Sequence, residues 1–88
     1  MNKYTTNFFA VCPNNGIRIS YELIITTGRV IQAEDIVAAV ESIKTGLHED
    51  IADQLLANLG GSQVLKANRH GVHIETIRAH MAHWSKDK

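Results

Sequence analysis

The chain has 88 residues and a mass of 9.8 kDa, which is enough for one domain and too little for two. Hydrophobic residues make up 44% of it and charged residues 20%, so it has the composition of a globular protein and not of a disordered one. Nine basic and nine acidic side chains cancel, which excludes a strong net field toward nucleic acid or membranes. We predict a single domain over residues 1–88.

The sequence also bears on the cellular compartment. Apolar runs such as Leu23-Ile24-Ile25 are far shorter than the about 20 residues that cross a bilayer. The first residues lack the charged start and long apolar stretch of a secretory signal. The single cysteine, Cys12, cannot form an internal disulfide or a site built from several thiolates. We therefore expect a cytoplasmic protein with no membrane partner.

The first third of the chain has the pattern of a β-hairpin. Residues 7–12 are rich in aromatic and β-branched side chains, and residues 13–16 (Pro-Asn-Asn-Gly) favour a tight turn. Apolar residues then alternate from Ile17 to Ile25, a period of two that places one face of a strand on a core. We expect this strand to end at residues 27–28 and residues 29–31 to extend the sheet briefly.

Two helices are predicted next. The apolar residues with helical spacing are Ile36, Val40, Ile43 and Leu47. They follow two acids that suit the positive end of a helix dipole, so the first helix is predicted from Ala33 to Lys44, with Gly46 after its end. A second helix is expected to begin at His48 and to end before the glycines at 60–61.

From Ser62 onward the pattern has two interpretations. Residues 63–68 and 72–79 form either two strands or two helices about the turn near Gly71. As strands, they place Val64 and Ile74 on the core. This interpretation gives the predicted fold class: α+β, in the order β-β-α-α-β-β, with a four-stranded antiparallel sheet and two helices on one face.

The helical alternative resembles a DNA-binding helix-turn-helix over residues 61–84. Residues 72–78 are similar to the recognition helix of sugar-operon repressors. The first helix of that motif normally buries apolar side chains at two places where this chain has Lys66 and His70. The resemblance implies phosphate and base-edge contacts in DNA. The nucleic-acid-binding residues in this alternative are Lys66, Arg69, His73 and Arg78.

In the strand interpretation, the element order resembles the tunnelling fold of pterin- and purine-handling enzymes, whose sheets assemble around a ring of subunits. Within that fold, four segments are similar, in order, to queuosine-pathway nitrile reductases. They are Ala10-Val11-Cys12-Pro13, Ser42-Ile43-Lys44, Gly46-Leu47-His48-Glu49 and Arg69-His70-Gly71-Val72-His73-Ile74. The resemblance implies that Cys12 matches the nucleophile that adds to the nitrile. It also implies that His48 and Glu49 match the pair that recognises the base.

Two parts of the reductase pattern are replaced in this chain. The family has a Gln-Pro-Asp-Phe run after its cysteine, with the aspartate as proton donor, whereas this chain has Ile17-Arg18-Ile19-Ser20. The Glu-x-Lys-Ser-Leu-Lys signature associated with the nicotinamide cofactor is replaced around residues 32–37. The sequence therefore favours a binding protein over an enzyme, and we assign no catalytic residue and no cofactor.

The candidate residues also have structural interpretations. A lone cysteine usually behaves as a small buried apolar group, and polar residues such as His48 and Glu49 in a first helical turn serve the dipole and the free amides. The histidines lack a fourth ligand with matching spacing, so we predict no metal site.

The predicted function is a small, non-catalytic binding module, similar in character to phage or prophage accessory proteins, that self-associates and acts on a protein partner. DNA binding through the residues above is one alternative. A degenerate tunnelling-fold purine or pterin binder is the other, with Cys12, His48 and Glu49 as ligand-binding residues.

Overall fold

The computed structural model describes residues 1–79 of the chain. Its elements in chain order are β1 (Asn2–Val11), β2 (Arg18–Thr27), α1 (Ala33–Glu41), α2 (His48–Leu59), β3 (Ser62–Arg69) and β4 (Val72–Arg78). The strands form one antiparallel sheet in the order β1-β2-β3-β4. The predicted α+β fold class is confirmed. No helix in the described part of the chain is long and apolar enough to cross a bilayer.

One face of the sheet carries the core because the strand side chains alternate. In the register, Phe8 lies opposite Tyr21 and Leu65 lies opposite Leu23, so neighbouring strands bury the same face. Both helices pack on that face. The buried apolar side chains of α1 and α2 are Ile36, Val40, Ile51, Ala52, Leu55 and Leu59. The other face, turned away from α1 and α2, is called the outer face below.

Two side chains from outside α2 donate hydrogen bonds to the carbonyl groups at its C-terminal end. The buried Gln63 amide donates from Nε2 to the carbonyls of Leu55 (3.1 Å) and Gly60 (2.7 Å). Arg29 Nη2 donates to the carbonyl of Leu59 at 2.8 Å. These contacts replace the hydrogen bonds that the last helical turn cannot make internally. They fix α2, and with it the residues at its start, relative to the sheet.

The segment after residue 61 is a β-hairpin. Pairing runs from Gln63↔Arg78 to Arg69↔Val72, and the two turn residues, His70 (φ 55) and Gly71 (φ 82), have positive φ. The helix-turn-helix interpretation is therefore wrong for the described residues, because their backbone groups bond between strands. Residues 80–84 of that interpretation lie outside the described residues.

Several element ends differ from the prediction. β1 begins at Asn2 and not at residue 7, because Tyr4 and its neighbours continue the pairing with β2. Residues 29–31 are not a strand, since the Ile31 amide donates to the Tyr4 hydroxyl (3.0 Å). α1 ends at Glu41 and not at Lys44, because the Lys44 carbonyl accepts a hydrogen bond from the Val11 amide (2.9 Å).

Two predicted core positions also differ. Val64 lies half-buried on the outer face, because the buried residues of β3 are Gln63, Leu65 and Ala67. Ile17 is 47% exposed, since it precedes β2 at the end of the hairpin turn. Ile74 lies opposite Ala67 on the core side, although it is only half-buried.

Candidate functional site

Cys12 follows β1 and opens the hairpin turn. Its amide donates to the Ile17 carbonyl (2.9 Å), and its own carbonyl accepts from the Gly16 amide (2.8 Å), so the turn is fixed at both ends. The side chain is 1% exposed, which confirms the expectation of a buried cysteine. The thiol nevertheless lies among polar groups, and this makes it chemically unlike an ordinary core cysteine.

Arg69, the last residue of β3, donates from Nη2 to Cys12 Sγ at 3.2 Å. The backbone amides of Asn14 and Asn15, together with Arg69, lower the pKa of the Cys12 thiol, and burial opposes them; the Asn14 amide has the largest effect. Hydrogen-bond donors and a cation both stabilise the thiolate, which is the nucleophilic form of cysteine. The turn and β3 thus cooperate to favour an anionic sulfur at this end of the sheet.

His48, the first residue of α2, is 7% exposed, and neither ring nitrogen has a hydrogen-bond partner within residues 1–79. Its ring centroid lies 5.6 Å from that of Tyr21. Burial lowers the pKa of His48, and the nearby Glu49 raises it in partial opposition. The Leu65 backbone also lies near the ring and raises the pKa of His48, although no hydrogen bond of good geometry forms there.

Glu49 points away from this environment although it follows His48 directly. Arg78, the last residue of β4, donates from Nη2 to Glu49 Oε1 at 2.6 Å and from Nε to Asp53 Oδ1 at 3.0 Å. Both bonds raise the pKa of Arg78. The Glu49 side chain is 70% exposed, so its carboxylate remains accessible from solvent. Neither α1 nor α2 has a hydrogen bond from its N-cap side chain.

The structure groups the candidate residues differently from the sequence-based sets. We call Cys12, Tyr21, His48 and Arg69 the thiol cluster. Arg69 contacts Cys12. Burial is the largest effect on the other two residues, and it raises the pKa of Tyr21 and lowers the pKa of His48. The charge of Arg69 has a smaller effect, which lowers both pKa values. Glu49 lies next to this cluster in sequence but contacts Arg78. The predicted ligand-binding residues are therefore divided between two adjacent groups.

The four predicted nucleic-acid-binding residues do not share one surface. Lys66 pairs with Glu22 (3.9 Å), and in the strand alternation both lie on the outer face, as does the exposed His73. Arg69 and Arg78 lie on the side of the helices, bound to Cys12 and to α2. This separation removes the basic surface that the helix-turn-helix interpretation required.

Sequence reasoning missed the partners of Cys12 and Glu49. Arg69 and Arg78 lie 57 and 29 positions away from them. The pairing of β3 with β2 places Arg69 near Cys12, and the pairing of β4 with β3 places Arg78 near α2. The signal was the alternation of β3, in which Gln63, Leu65 and Ala67 share a face that also includes Arg69. Among residues 1–79, no group of three or more His, Cys, Asp or Glu residues could hold a metal ion. His80 and His83 lie outside the described residues.

His48 gives a test of pH dependence. Its pKa in the folded protein lies below the ordinary 6.5, so as the pH falls below 6.5 the unfolded chain binds more protons than the folded chain. His48 thus makes its full contribution to the free energy of unfolding above about pH 6.5. This contribution decreases as the pH falls toward the pKa of His48 in the folded protein. We expect His48→Phe, which keeps the ring contact with Tyr21, to weaken this pH dependence.

Urea denaturation at several pH values between about 5 and 7 measures the effect. His73→Phe is the matched control, because His73 is exposed on β4. It should leave the slope of the free energy of unfolding against pH unchanged. An equal slope in wild type and His48→Phe would show that the buried ring does not contribute.

Comparison with known proteins adds one structural likeness. No protein-family model and no curated protein matches the chain. The crystal structure of the archaeosine synthase QueF-Like, in the apo form, is similar with a TM-score of 0.69. The alignment covers 88% of this chain and 89% of the other at 22% identity. At that identity the likeness shows the fold alone. The neighbour is a tunnelling-fold relative, in agreement with the resemblance noted in the sequence.

Proposed function

We propose that this protein binds a planar purine- or pterin-like base at the site formed by the start of α2 and the hairpin turn after β1. The observation that carries the proposal is the contact of Arg69 with Cys12 Sγ, at the position where the nitrile reductase pattern has its nucleophile. A buried cysteine with only a packing role needs no cation at its sulfur. The fold likeness to a protein named an archaeosine synthase supports the same class of ligand.

Glu49 is the residue proposed to read the base. An ionised carboxylate has two acceptor oxygens, which match the adjacent ring N–H and amino donors of guanine-like bases. Adenine presents an acceptor at the corresponding ring position and is a poor partner for a carboxylate. The neighbouring His48 has no hydrogen bond from its ring nitrogens within residues 1–79 and so keeps hydrogen-bonding capacity for a ligand.

The residues favour binding of the base without a chemical reaction. The lowered pKa of the Cys12 thiol favours its nucleophilic form, but the following Ile17-Arg18-Ile19-Ser20 contains no acid to donate a proton. Self-association, a protein partner and an accessory role in a phage stay predictions; the ring assembly of the tunnelling fold agrees with the first.

Calorimetric titration and thermal melting with 7-deazaguanine test the proposal. We expect binding to raise the melting temperature, and Glu49→Gln to weaken the affinity by about 10-fold or more, because a hydrogen bond to a charged group contributes about 1.5–3 kcal/mol. Asp50→Asn is the control, since it makes the same change at the next, exposed position of α2. The proposal fails if 7-deazaguanine binds no better than adenine or if the two variants behave alike.

A further inference from the structure

Arg78 is hydrogen-bonded to Glu49, the carboxylate that the proposed function assigns to recognition of the base. Its guanidinium lies between two carboxylates one helical turn apart on α2, bound through Nη2 to Glu49 (2.6 Å) and through Nε to Asp53 (3.0 Å). The Arg78 side chain is 26% exposed, whereas Glu49 is 70% exposed. The arginine therefore covers one side of the Glu49 carboxylate and leaves the rest open to solvent.

A guanidinium and the edge of a guanine-like base offer a carboxylate the same chemistry. Each is planar and presents neighbouring N–H donors, a pattern that suits the two oxygens of a carboxylate. A base that pairs with both Glu49 oxygens needs Oε1, which already accepts the hydrogen bond from Arg78 Nη2, so the two planar donors compete for the space at that oxygen. We propose that Arg78 is a built-in competitor that occupies Glu49 in the free protein and leaves it when a base binds. This inference rests on the proposed function of Glu49.

The geometry favours an exchange of partners over a permanent block. Arg78 divides its donors between two carboxylates, so one hydrogen bond holds it to Glu49. Ion pairs with this much solvent exposure contribute little net stability and are readily replaced. The bond to Asp53 keeps the guanidinium close to α2 after it leaves Glu49. A base that binds Glu49 through both oxygens thus replaces one contact with two.

Arg78→Met tests the competition, because it keeps the length of the side chain and removes the guanidinium. We expect this variant to bind 7-deazaguanine about 3- to 5-fold more tightly than wild type, the range that an exposed ion pair can contribute. Lys66→Met is the matched control. It removes one cation and one exposed ion pair, with Glu22, on the outer face, and should leave the affinity unchanged.

Two further variants make the result specific. Glu49→Gln in the Arg78→Met background should remove the gain, because the competition needs the carboxylate. Arg78→Lys should bind the base with intermediate affinity, since lysine keeps the charge but lacks the planar set of donors. It also serves as a second variant if Arg78→Met folds poorly.

The outcomes separate the two proposals. Tighter binding by Arg78→Met with no change in Lys66→Met supports the competition. If wild type binds the base and Arg78→Met binds it with equal or lower affinity, the competition is overturned and the proposed function is retained. No binding by wild type or by any Arg78 variant overturns both.

Discussion

Leu55→Ala is expected to lower the free energy of unfolding by about 2–5 kcal/mol. The Leu55 side chain is 0% exposed and lies in the middle of the core face of α2, so its removal leaves a cavity. For a domain with a total stability of about 5–15 kcal/mol, this loss is a large fraction. The melting temperature should fall by at least about 8 °C.

Leu56→Ala is the matched control for this prediction. It makes the same chemical change at the next position of α2, where the side chain is only half-buried, and should cost less than half as much. Urea denaturation of the two variants measures the difference in the free energy of unfolding. Equal losses would contradict the assignment of the core face of α2.

Arg69→Met is expected to raise the pKa of the Cys12 thiol. The substitution removes the guanidinium that lies 3.2 Å from Sγ, while the backbone amides of the hairpin turn remain. The buried thiol should then lose part of the stabilisation of its ionised form. Because Cys12 is the single cysteine, the ¹³Cβ chemical shift of labelled cysteine reports its titration without overlap.

Arg18→Met is the control for Arg69→Met. Arg18 lies at the same end of the sheet, where its guanidinium stacks on Phe9 at 3.9 Å from the ring centroid. Its loss removes the same charge without touching Cys12 and should leave the titration close to that of wild type. The role given to Arg69 would be rejected if both arginine variants shifted the thiol equally or if neither shifted it.

Local patterns in the sequence were enough for most of the fold. The alternation in β2 and the helical spacing in α2 reflect direct contact with the core, so both elements were predicted with the correct face. The ends of β1 and α1 were wrong because they depend on contacts from distant residues, such as the bond between Val11 and Lys44. Hydrophobicity alone also placed Val64 in the core, where the polar Gln63 is buried because it caps α2.

The candidate site was predicted only in part. Short similarities to one enzyme family singled out Cys12, His48 and Glu49, but their partners come from β3 and β4. Arg69 and Arg78 were assigned to DNA phosphates, since a positive charge in a sequence does not specify its partner. The pairing of β3 with β2 determines the first pair and that of β4 with β3 the second, and both follow only once the strand interpretation has been chosen.

The most direct test of the base-binding site is an amide chemical-shift map of the ¹⁵N-labelled protein during titration with 7-deazaguanine. We predict that the largest shifts occur at His48 and Glu49, with further shifts in the hairpin turn after Cys12 and at Arg69 and Arg78. A titration without shifts, or with shifts confined to outer-face residues such as Lys66 and His73, would contradict the account.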